Sequence, residues 1–186
     1  QYVVIPAYQG MTASGRLRWQ LKLLRLDDPQ QTRALAAVHD GLVTALAASC
    51  DGTKLASADL QGNLRLWDLA GGTDKPPTIF KAKPFALSLC FSPDAKILVA
   101  GTAVERGTQQ SQLQIWDATA GKLLHSRNLP DHVNACAVSP NGKRLAYTGG
   151  RDNEIWLGPL TEAEPVVALR GTGRRGGRVA FAAEEP

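Results

Sequence analysis

Short apolar segments recur along the chain at nearly constant spacing. They run from Val43 to Ala48, Ala86 to Phe91, Val133 to Val138 and Gly176 to Phe181, and their first residues lie 43, 47 and 43 positions apart. A repeat of this length is typical of architectures in which each unit is one small antiparallel sheet. The spacing therefore predicts a repetitive all-β protein.

The first three segments each lead into a turn, a basic residue and a second apolar run. The turns contain Asp51-Gly52, Asp94-Ala95 and Asn141-Gly142. Asp-Gly and Asn-Gly supply the positive backbone angles that a tight hairpin requires. We therefore expect the first two strands of each unit to be antiparallel neighbours.

A third run alternates in polarity, as in Leu64 to Trp67 and Leu113 to Trp116. Period-two alternation places alternate side chains on opposite faces of a strand, as expected for a strand packed on both sides. A fourth segment, from Val166 to Leu169, ends the third unit. Four short strands per unit predict the blades of a β-propeller.

These residues resemble the WD40-repeat family. The motifs that carry the resemblance are Leu55-Ala56-Ser57, Leu66-Trp67-Asp68, Phe91-Ser92-Pro93-Asp94 and Ile115-Trp116-Asp117, and the match extends over about residues 32 to 182. The resemblance implies a propeller. It also implies a hydrogen-bonded chain in each blade, made of a His, a Ser or Thr, an Asp in the following turn and a Trp.

That pattern is incomplete in every unit when it is carried over by position. The first unit offers His39, Ser57 and Trp67, with Gln61 where the Asp is expected. The second unit offers Thr102 and Trp116, with Ala82 in the His position. The third unit offers Thr148 and Asp152, with Leu129 in the His position, Gly158 in the Trp position and Trp156 displaced by two residues. We therefore expect these blades to depend more on apolar packing than on polar networks.

The repeat divides the chain into about four blades' worth of four-stranded antiparallel sheets. The predicted units are a partial, degenerate blade of three strands (1–38), a blade (39–81), a blade with a long hairpin insertion (82–128), a blade (129–171) and the first strand of a following blade (172–186). The last strand could pair with Tyr2 to Ile5 and close a ring of four. Our preferred interpretation is a segment of a larger ring of seven or eight blades, because the family resemblance implies larger rings.

Composition is ordinary for a soluble globular protein. The chain has 186 residues, 44% of them apolar and 20% charged, with a net charge of +4. It lacks the roughly 18 consecutive apolar residues of a membrane helix, and its start does not resemble a signal peptide, so we expect no membrane contact and a cytoplasmic location. Cys50, Cys90 and Cys136 lack metal-ligand spacing and are expected to be buried, reduced thiols, with no metal or cofactor. The Ala, Gly and Arg content suggests a GC-rich bacterial source.

No catalytic motif accompanies the three histidines, so we predict that the protein is not an enzyme. The least implausible enzymatic alternative uses Asp131, His132 and Arg151 in the central channel. A second alternative is the binding of nucleic acid or an acidic ligand through the loop from Arg170 to Arg178, but this loop has no interleaved aromatic residues for base stacking. We therefore do not expect nucleic acid to be a partner.

The more promising surface is the propeller rim, where loops joining strand four to strand one, and strand two to strand three, come together. Loops on rigid sheets commonly carry recognition. We therefore predict a non-enzymatic interaction scaffold or sensor module that binds proteins or peptides within a larger multidomain protein, together with the remaining blades of its propeller. Candidate rim residues are Asp40, Leu42, Lys81, Lys83, Phe85, Glu105, Arg106, Asp131, His132, Arg151, Arg174 and Arg175, with Phe85 as the expected anchor.

Overall fold

The computed structural model describes residues 2–28, 30–149, 154–161, 167–170 and 178–182. Within these ranges the chain forms fifteen β-strands, and no helix is present. The described part of the chain accordingly contains no helix that is long and apolar enough to cross a membrane. The prediction of an all-β fold is confirmed.

The strands form four separate antiparallel sheets in chain order. The first sheet has three strands, β1 (Tyr2–Met11), β2 (Leu17–Arg25) and β3 (Thr32–His39). The other three sheets have four strands each and are named blades 1, 2 and 3. Blade 1 contains β4 (Val43–Ala48), β5 (Lys54–Asp59), β6 (Asn63–Asp68) and β7 (Thr78–Lys81).

Blades 2 and 3 repeat this order. Blade 2 contains β8 (Ala86–Phe91), β9 (Ile97–Thr102), β10 (Ser111–Asp117) and β11 (Lys122–Leu129). Blade 3 contains β12 (Ala135–Val138), β13 (Arg144–Gly149), β14 (Glu154–Pro159) and β15 (Val167–Arg170). Each blade is thus a meander in which consecutive strands are neighbours.

The first hairpin turn has the same construction in each blade. In blade 1 the Ser49 hydroxyl donates to the Asp51 carboxylate at 2.5 Å and accepts the Lys54 backbone N–H at 2.9 Å. Ser92 and Ser139 make the equivalent pair of bonds in blades 2 and 3. Three residues after each of these serines, the backbone has a positive φ: 70° at Gly52, 55° at Ala95 and 71° at Gly142. This conformation suits glycine, and in blade 2 an alanine adopts it.

Apolar side chains fill the three interfaces between successive sheets. Leu21, Leu35 and Trp67 lie in the cluster between the first sheet and blade 1. A second cluster joins blades 1 and 2, and a third joins blades 2 and 3. The first strands of successive blades are also neighbours, β4 beside β8 and β8 beside β12. The blades therefore stack through their faces with their first strands along one common edge.

Residues 178–182 form no strand. Because residues 172–177 and 183–186 lie outside the described residues, the first strand of a following blade stays a prediction. β1 pairs with β2 alone, so the described residues show no closure of a four-bladed ring. The cysteines also differ from one another, since Cys136 is buried, Cys90 is half-buried and Cys50 is exposed. The expectation that all three are buried is wrong for Cys50, because this residue lies in the turn after β4 rather than in the strand.

Candidate functional site

A buried chain of hydrogen bonds links three side chains of blade 1 to His39, the last residue of β3 in the first sheet. Trp67 donates its indole N–H to the Ser57 hydroxyl at 2.8 Å, and Ser57 Oγ lies 2.9 Å from His39 Nε2. His39 Nδ1 lies 2.8 Å from Asp59 Oδ2. His39, Ser57 and Asp59 are completely inaccessible to solvent. A His39 ring that donates from Nδ1 and accepts at Nε2 satisfies all three bonds, which assigns the neutral tautomer.

The surroundings hold His39 neutral and Asp59 charged. Burial lowers the pKa of His39 below its ordinary value, although the bond to Asp59 acts in the opposite direction. Burial acts to raise the pKa of Asp59, but hydrogen bonds from His39 and Asn63 outweigh it, and the net pKa is lowered. Asp59 Oδ1 also accepts the backbone N–H groups of Gln61 and Asn63, each at 3.0 Å. A buried carboxylate with this many donors is well satisfied.

Asp59 therefore corrects the prediction that Gln61 stands in the place of the acidic residue. The carboxylate comes from the last residue of β5, two positions after Ser57 and on the same face of the strand, rather than from the turn that follows. Blade 1 has a complete polar network, so the expectation that the pattern is incomplete in every unit is wrong for this blade. The signal in the sequence was the pair Ser57 and Asp59 at a spacing of two.

The strand register reassigns the candidate residues of blade 2. Trp67 pairs with Leu55 in blade 1, and Trp116 pairs with Leu98 in blade 2, so Ala100 corresponds to Ser57 and Thr102 to Asp59. Thr102 Oγ1 accepts the Gln112 backbone N–H at 2.7 Å, as Asp59 does for Asn63. With no hydroxyl at position 100, the Trp116 indole donates to Gln114 Oε1 at 3.3 Å.

Blade 3 departs further from the pattern. Leu145 pairs with Gly158, which places Gly158 in the position of Trp67 and Tyr147 in that of Ser57. Thr148 is buried, but its side chain falls one residue beyond the expected position and its hydroxyl has no hydrogen-bond partner. Its predicted role in the blade network is therefore wrong. The predicted network residue Asp152 lies outside the described residues.

The candidate rim residues of blade 2 lie on its connecting loops. Lys83 is exposed and Phe85 is half-buried just before β8. Glu105 and Arg106 are both exposed in the excursion of residues 103–110 between β9 and β10. The backbone carbonyl of Phe85 accepts the Ala103 N–H at 2.9 Å, which joins the two loops at their base. Phe85 thus contributes to the base of the rim while the three charged residues are open to solvent.

Asp131 and His132 also join this rim, but not as an acid–base pair. His132 Nδ1 accepts the Val104 backbone N–H at 2.8 Å, and Asp131 Oδ1 accepts the His132 backbone N–H at 2.7 Å. The Ser111 hydroxyl donates to the Asp131 carbonyl. These bonds hold the base of the excursion, and no recorded bond joins the Asp131 carboxylate to the His132 ring. The geometry gives the enzymatic alternative no support.

The predicted rim residues Arg151, Arg174 and Arg175 lie outside the described residues. So do all of residues 171–177 of the proposed nucleic-acid loop. Arg178 is exposed. Among the described residues, no group of three or more His, Cys, Asp or Glu side chains is placed to hold a metal ion.

Stacked four-stranded meanders, repeated Ser-containing turns and a His–Ser–Trp–Asp network together define the blades of a β-propeller. The family model described as WD domain, G-beta repeat, matches residues 31–68 and 121–157. The chain contains WD40 repeats at these two positions, and the resemblance inferred from its sequence is confirmed.

Several WD-repeat proteins are similar over most of the chain. The small ribosomal subunit protein RACK1 of Glycine max is 32% identical over 119 residues, which cover 62% of this chain and 34% of the relative. THO complex subunit 3 of Arabidopsis thaliana is 26% identical over 136 residues, covering 69% and 40%. The angio-associated migratory cell protein of Homo sapiens is 30% identical over 152 residues, covering 80% and 32%. The chain thus spans about a third of the length of the curated relatives it matches.

Proposed function

We propose that the protein is a non-enzymatic interaction module whose blade 2 and blade 3 rim binds protein partners. The observation that carries the proposal is the rim itself: exposed Lys83, Glu105 and Arg106 project from loops that hydrogen bonds fasten to stacked, rigid sheets. Preorganised loops lose little conformational entropy on binding, so such a surface suits recognition. Two relatives support this class of function, since their names make them a ribosomal subunit protein and a subunit of a complex.

Charge reversal at the rim tests the proposal. Lys83→Glu with Arg106→Glu should abolish capture of at least one protein in a quantitative affinity purification, because both side chains are exposed on the proposed surface. The matched control is Lys122→Glu, which reverses another exposed charge, at the start of the outer strand β11. Partners that bind the rim should be lost with the double variant and retained with the control. Identical protein sets for all three forms would contradict the proposal.

We further propose that additional blades complete the propeller against the first sheet. Val3 and Ile5 on β1 are 43% and 36% exposed, and β1 has a neighbour on one side only. Apolar residues exposed along a strand edge are usually covered in a native assembly. The variant Ile5→Cys, made in a Cys50→Ser background, can be labelled with a soluble maleimide. The new thiol should react more slowly when flanking repeats are present than it does in the 186-residue chain alone. Equal rates would contradict this arrangement.

We also propose a cytoplasmic location. It is supported by three cysteines that are all free thiols, as is usual for proteins of reducing compartments. Imaging of the tagged protein tests it, and a secreted or membrane-bound distribution would contradict it.

A further inference from the structure

Two loops of blade 1 bring exposed leucines together on the propeller rim. Leu42 comes just before β4 and Leu60 just after β5, and the Leu60 backbone N–H donates to the Leu42 carbonyl at 3.0 Å. Because this bond continues the ladder in which Val43 pairs with Asp59, the two leucines lie opposite one another. Their side chains are 42% and 43% exposed. Both therefore offer apolar surface to solvent at the same point of the rim.

Blade 2 repeats this junction with an aromatic side chain. Phe85 follows Leu42 at the repeat spacing of 43 residues, and its carbonyl accepts the Ala103 N–H at 2.9 Å in the equivalent bond. Leu42 and Phe85 directly precede β4 and β8, which are neighbouring strands. The Thr44 hydroxyl donates to the Ala86 carbonyl at 2.6 Å and fastens these two strand ends together. The half-buried Phe85 thus extends the apolar surface from blade 1 to blade 2.

A lysine flanks this surface, which is named the apolar ledge and consists of Leu42, Leu60 and Phe85. The loop before β8 packs on the turn after β5, where the Ala82 N–H donates to the Gly62 carbonyl at 2.9 Å. A Cβ at Gly62 would lie 3.9 Å from Lys83 Cγ, so the stem of Lys83 lies against the turn that carries Leu60. Lys83 is exposed, and within the described chain its ammonium makes no ion pair.

The other charges of these loops leave the ledge positively charged. Asp40 is already paired, because its Oδ1 lies 3.3 Å from Arg18 Nε. Lys81 Nζ donates to the side-chain oxygen of Asn63, which carries no charge. The excursion beside the ledge adds one acidic and one basic residue, whose charges cancel. The net charge around the ledge is therefore supplied by Lys81 and Lys83.

The place of the ledge on the rim decides which partner can cover it. Neighbouring blades stack through the faces of the sheets, so repeats that complete the ring would leave the rim open. A second copy of this chain would bring the same lysines against one another, and like charges across an interface destabilise it. An apolar side chain set among carboxylates fits both features, because interfaces combine an apolar centre with a polar rim of complementary charge.

We propose that the apolar ledge binds an acidic segment of a protein partner through one large apolar side chain, with carboxylates of the segment beside Lys83. The inference rests on the proposed interaction function and names the class of segment that the rim recognises. Hydrogen bonds hold the loops of the ledge in place before binding, so the segment meets a preformed surface.

Titration of the full chain with the peptide acetyl-Asp-Asp-Phe-Asp-Asp-amide, followed by ¹H–¹³C NMR of the leucine methyl groups, tests the proposal. The peptide should shift the methyl resonances of Leu42 and Leu60 and leave those of Leu123 and Leu124 on β11 in place. Replacing the phenylalanine of the peptide by alanine should weaken binding about tenfold, because the apolar contact is lost. Replacing every aspartate by asparagine should weaken it about twofold to fivefold, as expected for loss of an exposed ion pair.

Two pairs of variants separate the ledge from the rest of the surface. Leu42→Ala should weaken the peptide about fivefold to tenfold, whereas Leu124→Ala, at a position that is also 42% exposed, should leave binding unchanged. Lys83→Gln should weaken it about twofold to fivefold, and Lys122→Gln should not. The urea midpoint of each variant shows that a loss of binding is not a loss of folding.

Ledge methyl groups that the peptide does not shift, equal binding of the aspartate and asparagine peptides, or equal affinities of Leu42→Ala and Leu124→Ala would each overturn the proposal. Ledge resonances that move on dilution of the free protein would show a second copy on the ledge and would overturn it too. Failure of the proposed function is distinguishable. Identical protein sets in the affinity purification would reject the interaction module, whereas rim-dependent capture with a silent ledge would reject the ledge alone.

Discussion

Replacing Asp59 by alanine should destabilise the protein far more than the equivalent change in blade 2. Asp59 accepts hydrogen bonds from the His39 ring, from the backbone N–H groups of Gln61 and Asn63, and from the Asn63 amide. Each buried donor left without an acceptor costs about 1–3 kcal/mol. Because Asn63 is only partly buried and water can reach some of these donors, we expect a total loss of about 3–5 kcal/mol.

Thr102→Val is the matched comparison, because Thr102 occupies the same register position in blade 2. Its hydroxyl accepts one backbone N–H, from Gln112, and valine preserves its shape. The expected loss is about 1–2 kcal/mol. Urea denaturation followed by tryptophan fluorescence and circular dichroism measures both values, with unchanged m-values as the check on two-state behaviour. Equal losses for the two variants, or a loss below about 1 kcal/mol for Asp59→Ala, would refute the reasoning.

Three further predictions concern the stability of the blades. Trp67→Ala should cost about 3–5 kcal/mol because a fully buried aromatic ring is removed, and an unchanged urea midpoint would contradict its place in the core. The pKa of His39 is lowered in the folded protein, so the unfolded chain binds a proton at this residue more readily. The free energy of unfolding should therefore fall as the pH drops below about 6.5. A urea midpoint at pH 5.5 equal to that at pH 7.5 would contradict this prediction. Gly101→Ala should destabilise the protein by at least about 1–3 kcal/mol, because the new Cβ would lie 2.3 Å from Val133 Cγ1. Gly149→Ala, whose new Cβ would have its nearest contact at 3.3 Å, should cost less in the same urea assay.

The sequence predicted the strands well where hydrophobic period and turn chemistry agreed. The strands that begin at Val43 and Ala86 were placed at their observed bounds, because an apolar run and a defined turn mark both. The long excursion of residues 103–110 was also recognisable as an insertion into a regular repeat. Its attachment through His132 was not predictable, since that bond joins loops of two different blades.

The polar positions within the blades were harder to predict. The repeat pattern placed Thr102 in the position of Ser57, but the strand register shows that it corresponds to Asp59.

The interfaces between sheets imply a gradient of local stability along the stack. Blades 1 and 2 each have apolar clusters on both faces. Hydroxyl groups of their first strands also bond to the next blade: Thr44 donates to the Ala86 carbonyl in β8, and Ser88 donates to the Val133 carbonyl just before β12. The first sheet has a described apolar cluster on one side only. In such a nearest-neighbour array, amide protons of β5 and β9 should exchange with solvent only through global opening, whereas those of β1 can exchange through fraying that leaves the inner blades intact.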